Sequence, residues 1–114
     1  MSVGIKMGTK RVILLLALVT TALAADGIEV LSQLDVKDGI EVLCRSDKGA
    51  RIEAHRLVNG DWVKIDSTPL DASGLAAVLF PDLEADEARL VLLDATGEAV
   101  ETLVYKGGTS WSAE

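Results

Sequence analysis

The sequence predicts a small all-β protein: an antiparallel β-sandwich of about seven strands that follows an N-terminal signal peptide. Three observations support this fold class. Apolar residues alternate with polar ones along most of the chain, and turn-forming residues recur roughly every 8–12 positions. Beyond residue 24, no segment has the 3.6-residue period of an amphipathic helix. Short strands at this spacing are typical of two sheets packed face to face.

The first 24 residues have the pattern of a secretory signal peptide. Their start carries three basic side chains, Lys6, Lys10 and Arg11. An unbroken apolar run follows at 12–19, and then a small-residue site with Ala22 and Ala24. Signal peptidases accept only small side chains at these two positions, so we predict cleavage after Ala24.

The alternative is that the leader is kept as a membrane anchor. Spanning a bilayer takes roughly 20 apolar residues. Residues 12–25 offer 14 positions, and two of these are threonines. We therefore expect no stable membrane insertion after cleavage, and a periplasmic or secreted location.

The predicted mature chain of 90 residues is strongly acidic. Cleavage removes three of the 11 basic residues and none of the 18 acidic ones, which leaves a net charge of −10. Binding to nucleic acid or to anionic lipid depends on Lys and Arg, so neither is an expected partner. The charge favours cationic partners or divalent ions instead.

A six-residue repeat opens the predicted sandwich. Asp-Gly-Ile-Glu-Val-Leu occurs at 26–31 and again at 38–43, each copy a turn followed by alternating apolar residues. The alternation predicts one shared face for Ile28, Val30, Leu34 and Val36, and another for Ile40, Val42 and Cys44. Further strands are predicted at 50–58, 62–65, 75–80, 88–93 and 99–105. We assign 25–106 to the sandwich domain and 107–114 to a flexible C-terminal tail after Gly107-Gly108.

Four segments resemble exported immunoglobulin-like and prealbumin-like modules. They are the strand 50–57, the hairpin residues 60–63, the turn and strand 70–76, and the later hairpin 94–100. Such modules occur as carboxypeptidase regulatory-like domains and adhesin stalk domains. The resemblance implies a β-sandwich, and it implies no shared catalytic residue.

Two single residues are candidates for chemistry. His55 is the only histidine, and the alternation points it to solvent on the face opposite Ile52 and Ala54. Cys44 is the only cysteine, so no internal disulfide can form. Its position beside Ile40 and Val42 favours a buried, inert thiol, with an intermolecular disulfide or a reactive thiol as alternatives.

The loop after residue 80 is the candidate metal site. It gathers four carboxylates, those of Asp82, Glu84, Asp86 and Glu87. Calcium takes several oxygen ligands, but the loop lacks the glycine and the spacing of an EF-hand. The alternative is a solvated acidic loop that keeps a sheet edge from aggregating.

The two tryptophans are candidates for packing or for binding. Trp62 is expected to cover the core beside its hairpin. Trp111 lies in the predicted tail, where it either folds back onto the sandwich or anchors a partner protein.

These observations predict a non-enzymatic protein without a cofactor. It would bind a protein partner in the cell envelope or the extracellular space, through its sheet edges and possibly the C-terminal tail. The alternative is a small exported protein that binds calcium or another ligand through the acidic loop 82–87.

We predict that a bacterial host exports the protein without residues 1–24, because Ala22 and Ala24 fit the peptidase pocket. Intact-mass measurement and N-terminal sequencing should find Ala25-Asp26-Gly27 at the start. Ala24→Leu should block processing, whereas Ala24→Ser should be processed normally. A full-length mass for the purified wild-type protein would contradict the prediction.

Overall fold

The computed structural model describes residues 27–114, so the predicted signal peptide lies outside the described residues. This part of the chain forms eight strands, and all strand pairs are antiparallel. In order, they are β1 Glu29–Val36, β2 Gly39–Arg45, β3 Arg51–Val58, β4 Asp61–Pro69, β5 Leu75–Phe80, β6 Ala88–Leu93, β7 Ala99–Gly107 and β8 Ser110–Ala113. From Gly27 to the C-terminus, no helix has the length and apolarity needed to cross a membrane.

The strands form two sheets, which confirms the predicted fold class. One sheet has the order β1-β2-β5, and the other has the order β8-β7-β6-β3-β4. Alternate side chains of both sheets fill the space between them, as the period of two requires. The largest fully buried side chains are those of Phe80, Ile52, Leu90, Leu92, Val42, Val78 and Cys44.

The turns form where the sequence places turn residues. Asn59 and Gly60 have φ angles of 52° and 85° and join β3 to β4 as a two-residue hairpin. Asp71 closes another turn by accepting hydrogen bonds from the amides of Ser73 and Leu75, at 2.8 and 3.0 Å. Asp94 holds the turn before β7 in the same way.

Asp94 also accepts a 2.6 Å hydrogen bond from the Thr96 hydroxyl. This bond is the largest cause of a lowered pKa of the Asp94 carboxyl, and the bond from the Glu98 amide is the next largest. The ionised form is therefore the one that the turn favours.

Strand β1 contains a bulge that the alternation did not predict. Its register against β2 shifts between Val30 and Ser32. Before the shift, Val30 lies opposite the buried Cys44; after it, Gln33 lies opposite the buried Val42. The extra residue thus gives the inward position to a polar side chain.

The bulge corrects the predicted face of β1. Ile28, Val30, Leu34 and Val36 were expected to share one face, but only Ile28 and Val30 pack against the core. Leu34 and Val36 are 55% and 41% exposed. A slip of one residue moves every later side chain to the other face of a strand, which explains the difference.

The predicted flexible tail 107–114 also needs correction, since residues 110–113 form strand β8. Gly107 and Gly108 have φ angles of 110° and 59° and lie at the turn of a hairpin instead of ending the fold. Trp111 lies opposite Tyr105 in the β7–β8 ladder, and Ala113 opposite Leu103. The tail sequence is short and polar, so its pairing depends on a place for the Trp111 ring in the core.

We predict that Gly39→Ala destabilises the protein much more than Gly60→Ala. Both glycines have a positive φ, 148° and 85°. A Cβ at Gly39 would overlap the carbonyl oxygen of Phe80, whereas a Cβ at Gly60 meets nothing within 4 Å. We expect losses of about 3 kcal/mol or more and about 1 kcal/mol respectively.

Urea unfolding of the two variants beside wild type measures both free energies. Equal losses would show that the contact between Gly39 and Phe80 does not constrain the turn.

Candidate functional site

The free edge of β1 exposes apolar side chains. Among the described strands only β2 pairs with β1, so the other edge of β1 has no strand beside it. Leu31, Leu34 and Val36 are 40%, 55% and 41% exposed there. Apolar side chains on an unpaired edge strand are an aggregation hazard unless another chain covers them.

The outer face of the three-stranded sheet continues this apolar surface. Leu34 and Leu79 flank Glu41 on neighbouring strands, and Leu43 lies between Ser32 and Ala77. Leu43 and Leu79 are half-buried. The exposed leucines of β1 therefore border a face on which Leu43 and Leu79 lie beside the exposed Glu41.

Gln33 joins β1 to the C-terminal hairpin. Its Nε2 donates to the carbonyl oxygen of Gly108 at 3.1 Å, and its Oε1 accepts from Trp111 Nε1 at 2.7 Å. The Tyr105 hydroxyl donates to the same Gly108 oxygen at 2.8 Å. The inward position that the bulge gives to Gln33 thus satisfies the one polar atom of the Trp111 ring.

Trp111 packs within the protein. Its ring centroid lies 5.1 Å from that of Tyr105 and 6.0 Å from that of Phe80. Of the two sequence-based alternatives for Trp111, the structure has the ring folded back onto the sandwich. Its ring and its N–H are engaged within the protein, and a role for Trp111 in partner binding stays a prediction.

A groove follows the free edge of β1. One opening, of about 400 Å³, is lined by residues that include Ile28, Val30, Leu103 and Trp111. A second, of about 260 Å³, is lined by 30–33 and Thr109. The two openings share Val30 and Thr109 and form one trough between β1 and the β7–β8 hairpin, which we call the β1 groove.

Acidic side chains stand at the start of the β1 groove. Glu29 and Glu101 both line it. Glu101 Oε1 accepts from the backbone amide of Ile28 at 2.7 Å, which ties the beginning of the described chain to β7. Glu29 forms an ion pair with Arg45 of β2.

The opposite side of the sandwich is closed by side chains. Asp66 Oδ2 accepts from the amide of Leu79 at 2.8 Å, and the Thr68 hydroxyl donates to the carbonyl oxygen of Ala77 at 2.8 Å. These bonds from β4 occupy backbone groups of β5, the other outer strand of the three-stranded sheet. The sandwich therefore has one covered side and one open side.

His55 lies in a network on the outer face of the five-stranded sheet. Arg89 Nε donates to His55 Nδ1 at 3.0 Å, and His55 Nε2 lies 3.0 Å from Glu53 Oε1. Arginine only donates, so Nδ1 must be unprotonated and Nε2 must carry the proton that bonds Glu53. Lys64 Nζ lies 3.6 Å from the other oxygen of Glu53.

The network differs from two expectations for this region. His55 is on the face opposite Ile52, as predicted, but its side chain is only 13% exposed and both ring nitrogens are bonded. Trp62 does not belong to the buried core cluster. Instead, the Arg89 guanidinium lies 4.5 Å from the centroid of its ring, a cation–π contact.

Cys44 is fully buried, as its place in the alternation predicted. Desolvation raises the pKa of its thiol from 9.0 to about 12. Thiolate, the reactive form, is then about one part in ten thousand at pH 8. In this fold Cys44 packs as a small apolar side chain.

The structure does not bring Asp82, Glu84, Asp86 and Glu87 together as a metal site. Asp82 pairs with Arg56 at 3.2 Å, and Asp86 pairs with Lys106 at 2.8 Å. Within residues 27–114, no three His, Cys, Asp or Glu side chains are grouped so as to hold a metal ion. Two of the four carboxylates are thus paired with basic residues of β3 and β7, and calcium binding by this loop stays a prediction.

Gln33 was not among the residues predicted to be functional. The available signal was the break in alternation at Leu31-Ser32-Gln33. There the apolar Leu31 stands at a position where the alternation calls for a polar, outward residue. Such a break is compatible with a bulge or with the end of a strand. The distant partner that decides between them, Trp111, lies 78 positions along the chain.

Comparison with protein-family models, with curated proteins and with solved structures finds no match for this chain. The resemblance to immunoglobulin-like and prealbumin-like modules therefore stays a prediction.

We predict that the Cys44 thiol is inert in the folded protein, because burial both shields the sulfur and disfavours the thiolate. Ellman's reagent at pH 8 should release less than about a hundredth of the thiol within the time that labels an exposed cysteine fully. Unfolding in guanidinium should release one equivalent.

Val58→Cys, at a position that is 45% exposed, provides the matched positive control. Fast labelling of the native wild-type protein would show that the core around Cys44 opens readily.

Proposed function

We propose that this protein is a non-enzymatic binding or structural module of the cell envelope or extracellular space, acting through the free edge of β1. The observation that carries the proposal is the exposure of Leu31, Leu34 and Val36 on a strand with one unpaired edge. Sheet edges of this kind accept a strand from a partner protein. The export pattern of residues 1–24 supports the location.

Two further features support a binding role over catalysis. The reactive side chains are engaged in the structure, since both nitrogens of His55 are bonded and Cys44 is buried with a raised pKa. The C-terminal residues 107–114, which were expected to bind as a tail, instead form one wall of the β1 groove.

Affinity capture from an envelope extract of the producing organism tests the proposal. The bait is the wild-type protein, purified as its host exports it, beside Leu34→Lys and Val63→Lys. Leu34→Lys should lower capture of the specific partner by about tenfold, because it places a charge on the apolar contact. Val63 is 43% exposed on the distant β4, so Val63→Lys should capture as well as wild type.

Thermal melts of both variants check that each one folds. The proposal is wrong if Leu34→Lys, folded as wild type, captures the same proteins in the same amounts.

A further inference from the structure

We infer that the β1 groove takes an extended cationic segment of a partner protein, in which basic and apolar side chains alternate, as an added strand on β1. This inference rests on the proposed function and states the chemistry of the partner. Four observations support it: the volume of the groove, the unpaired edge of β1, the alternation of its side chains between two faces, and the acidic residues nearby.

The groove lies beside the first part of β1, and the free edge continues beyond it to Val36. Its two openings, of about 400 and 260 Å³, run along residues 28–33 on the free side of β1. At about 3.3 Å per residue, the eight residues of β1 extend over about 26 Å. A partner segment of seven or eight residues would cover this edge.

β1 is the outer strand of its sheet whose edge is not covered by side chains. On β5, Asp66 and Thr68 already bond the backbone of Leu79 and Ala77. On the β1 side, the links to the other sheet run through the side chain of Gln33 and through Glu101, which bonds the amide of Ile28. An added strand would therefore find backbone groups to pair with on β1 and not on β5.

The pleat of the sheet requires the added strand to alternate. Side chains on its outer face would lie beside Leu34 and Val36, which are exposed and apolar. Side chains on its inner face would lie beside Gln33 and Asp35, which share the parity of the inward-facing positions after the bulge. The outer positions of the partner should be apolar and the inner positions polar.

The charge of the groove requires the polar positions to be basic. Glu101 lines its start, and the exposed Asp35 lies just beyond its end. Glu29 also lines the start, but it lies on the outer face opposite Arg45 and is already paired with it. Residues 27–114 carry 17 acidic and eight basic residues, and at least five of the basic ones are already within 4 Å of a carboxylate. Near this edge the carboxylates of Glu101, Asp35 and Asp38 outnumber the single base Lys37, so the local charge is negative and favours Lys or Arg on the incoming strand.

A second copy of this chain is a poorer occupant. β1 contains two acids, Glu29 and Asp35, and no base, so pairing it with another β1 brings no opposite charges together. Both molecules would also carry the same excess of acidic residues. Repulsion between like-charged surfaces opposes such a dimer.

The test uses an eight-residue peptide of alternating Lys and Val, blocked at both ends, with the exported wild-type protein. One control has Glu in place of Lys, and the other has the same composition as a Lys block followed by a Val block. Amide chemical shifts should change in 28–36 and 108–113 on addition of the alternating peptide. Raising the salt from about 50 to about 500 mM should weaken binding several-fold.

Variants locate the contacts. Leu34→Lys should raise the Kd by about tenfold, and Asp35→Lys should raise it several-fold, since each replaces a complementary group by a repelling one. Val63→Lys introduces the same charge at a similarly exposed site on β4, and its Kd should stay within about twofold of wild type.

Four outcomes would overturn the inference. Equal binding of the Lys-block peptide would mean attraction by charge alone, and equal binding of the Glu peptide would mean that charge has no role. A wild-type dimer in sedimentation equilibrium that Leu34→Lys dissociates would assign the edge to a second copy. If an envelope partner is captured through Leu34 but no alternating peptide binds, this inference fails and the proposed function stands.

Discussion

The extra residue at Leu31 determines how the two sheets meet on one side of the protein. Because strand side chains alternate with a period of two, one inserted residue exchanges the faces of everything that follows in β1. Leu34 and Val36 are turned to solvent and Gln33 is turned inward, where its amide bonds Trp111 and Gly108. The exposed apolar edge and the attachment of the C-terminal hairpin thus have one common cause.

The two sides of the sandwich solve the problem of unpaired strand edges differently. Between β4 and β5, Asp66 and Thr68 satisfy backbone groups with short side chains, so the sheets are joined closely. Between β1 and the β7–β8 hairpin, the longer side chains of Gln33 and Glu101 make the connection and leave a groove. Edge strands whose backbone groups are not already bonded by side chains are the ones available to partners.

The charge of the surface adds a preference for one sign of charge on anything that approaches this edge. Most basic side chains of the described residues already contact other groups of the protein. Arg89, for example, stacks on Trp62 and donates a hydrogen bond to His55. Exposed carboxylates remain in excess, and some stand beside the β1 groove. A surface of this kind selects partners by charge sign before any close contact forms, because steering acts over roughly a Debye length.

The sequence by itself determined the features that depend on near neighbours. Asn59-Gly60 form the hairpin that their tolerance of positive φ predicts, and Asp71 and Asp94 close their turns with local hydrogen bonds. The alternation around Ile52 gives a strand with one buried face. Contacts between distant residues were decided only by the tertiary structure. Gln33 meets Trp111 across 78 positions, where an expected tail forms β8, and the register of β4 against β3 puts Trp62 on the outer face, in contact with Arg89. A bulge or a polar inward residue is stable only when a partner satisfies it, and alternation along one strand contains no information about that partner.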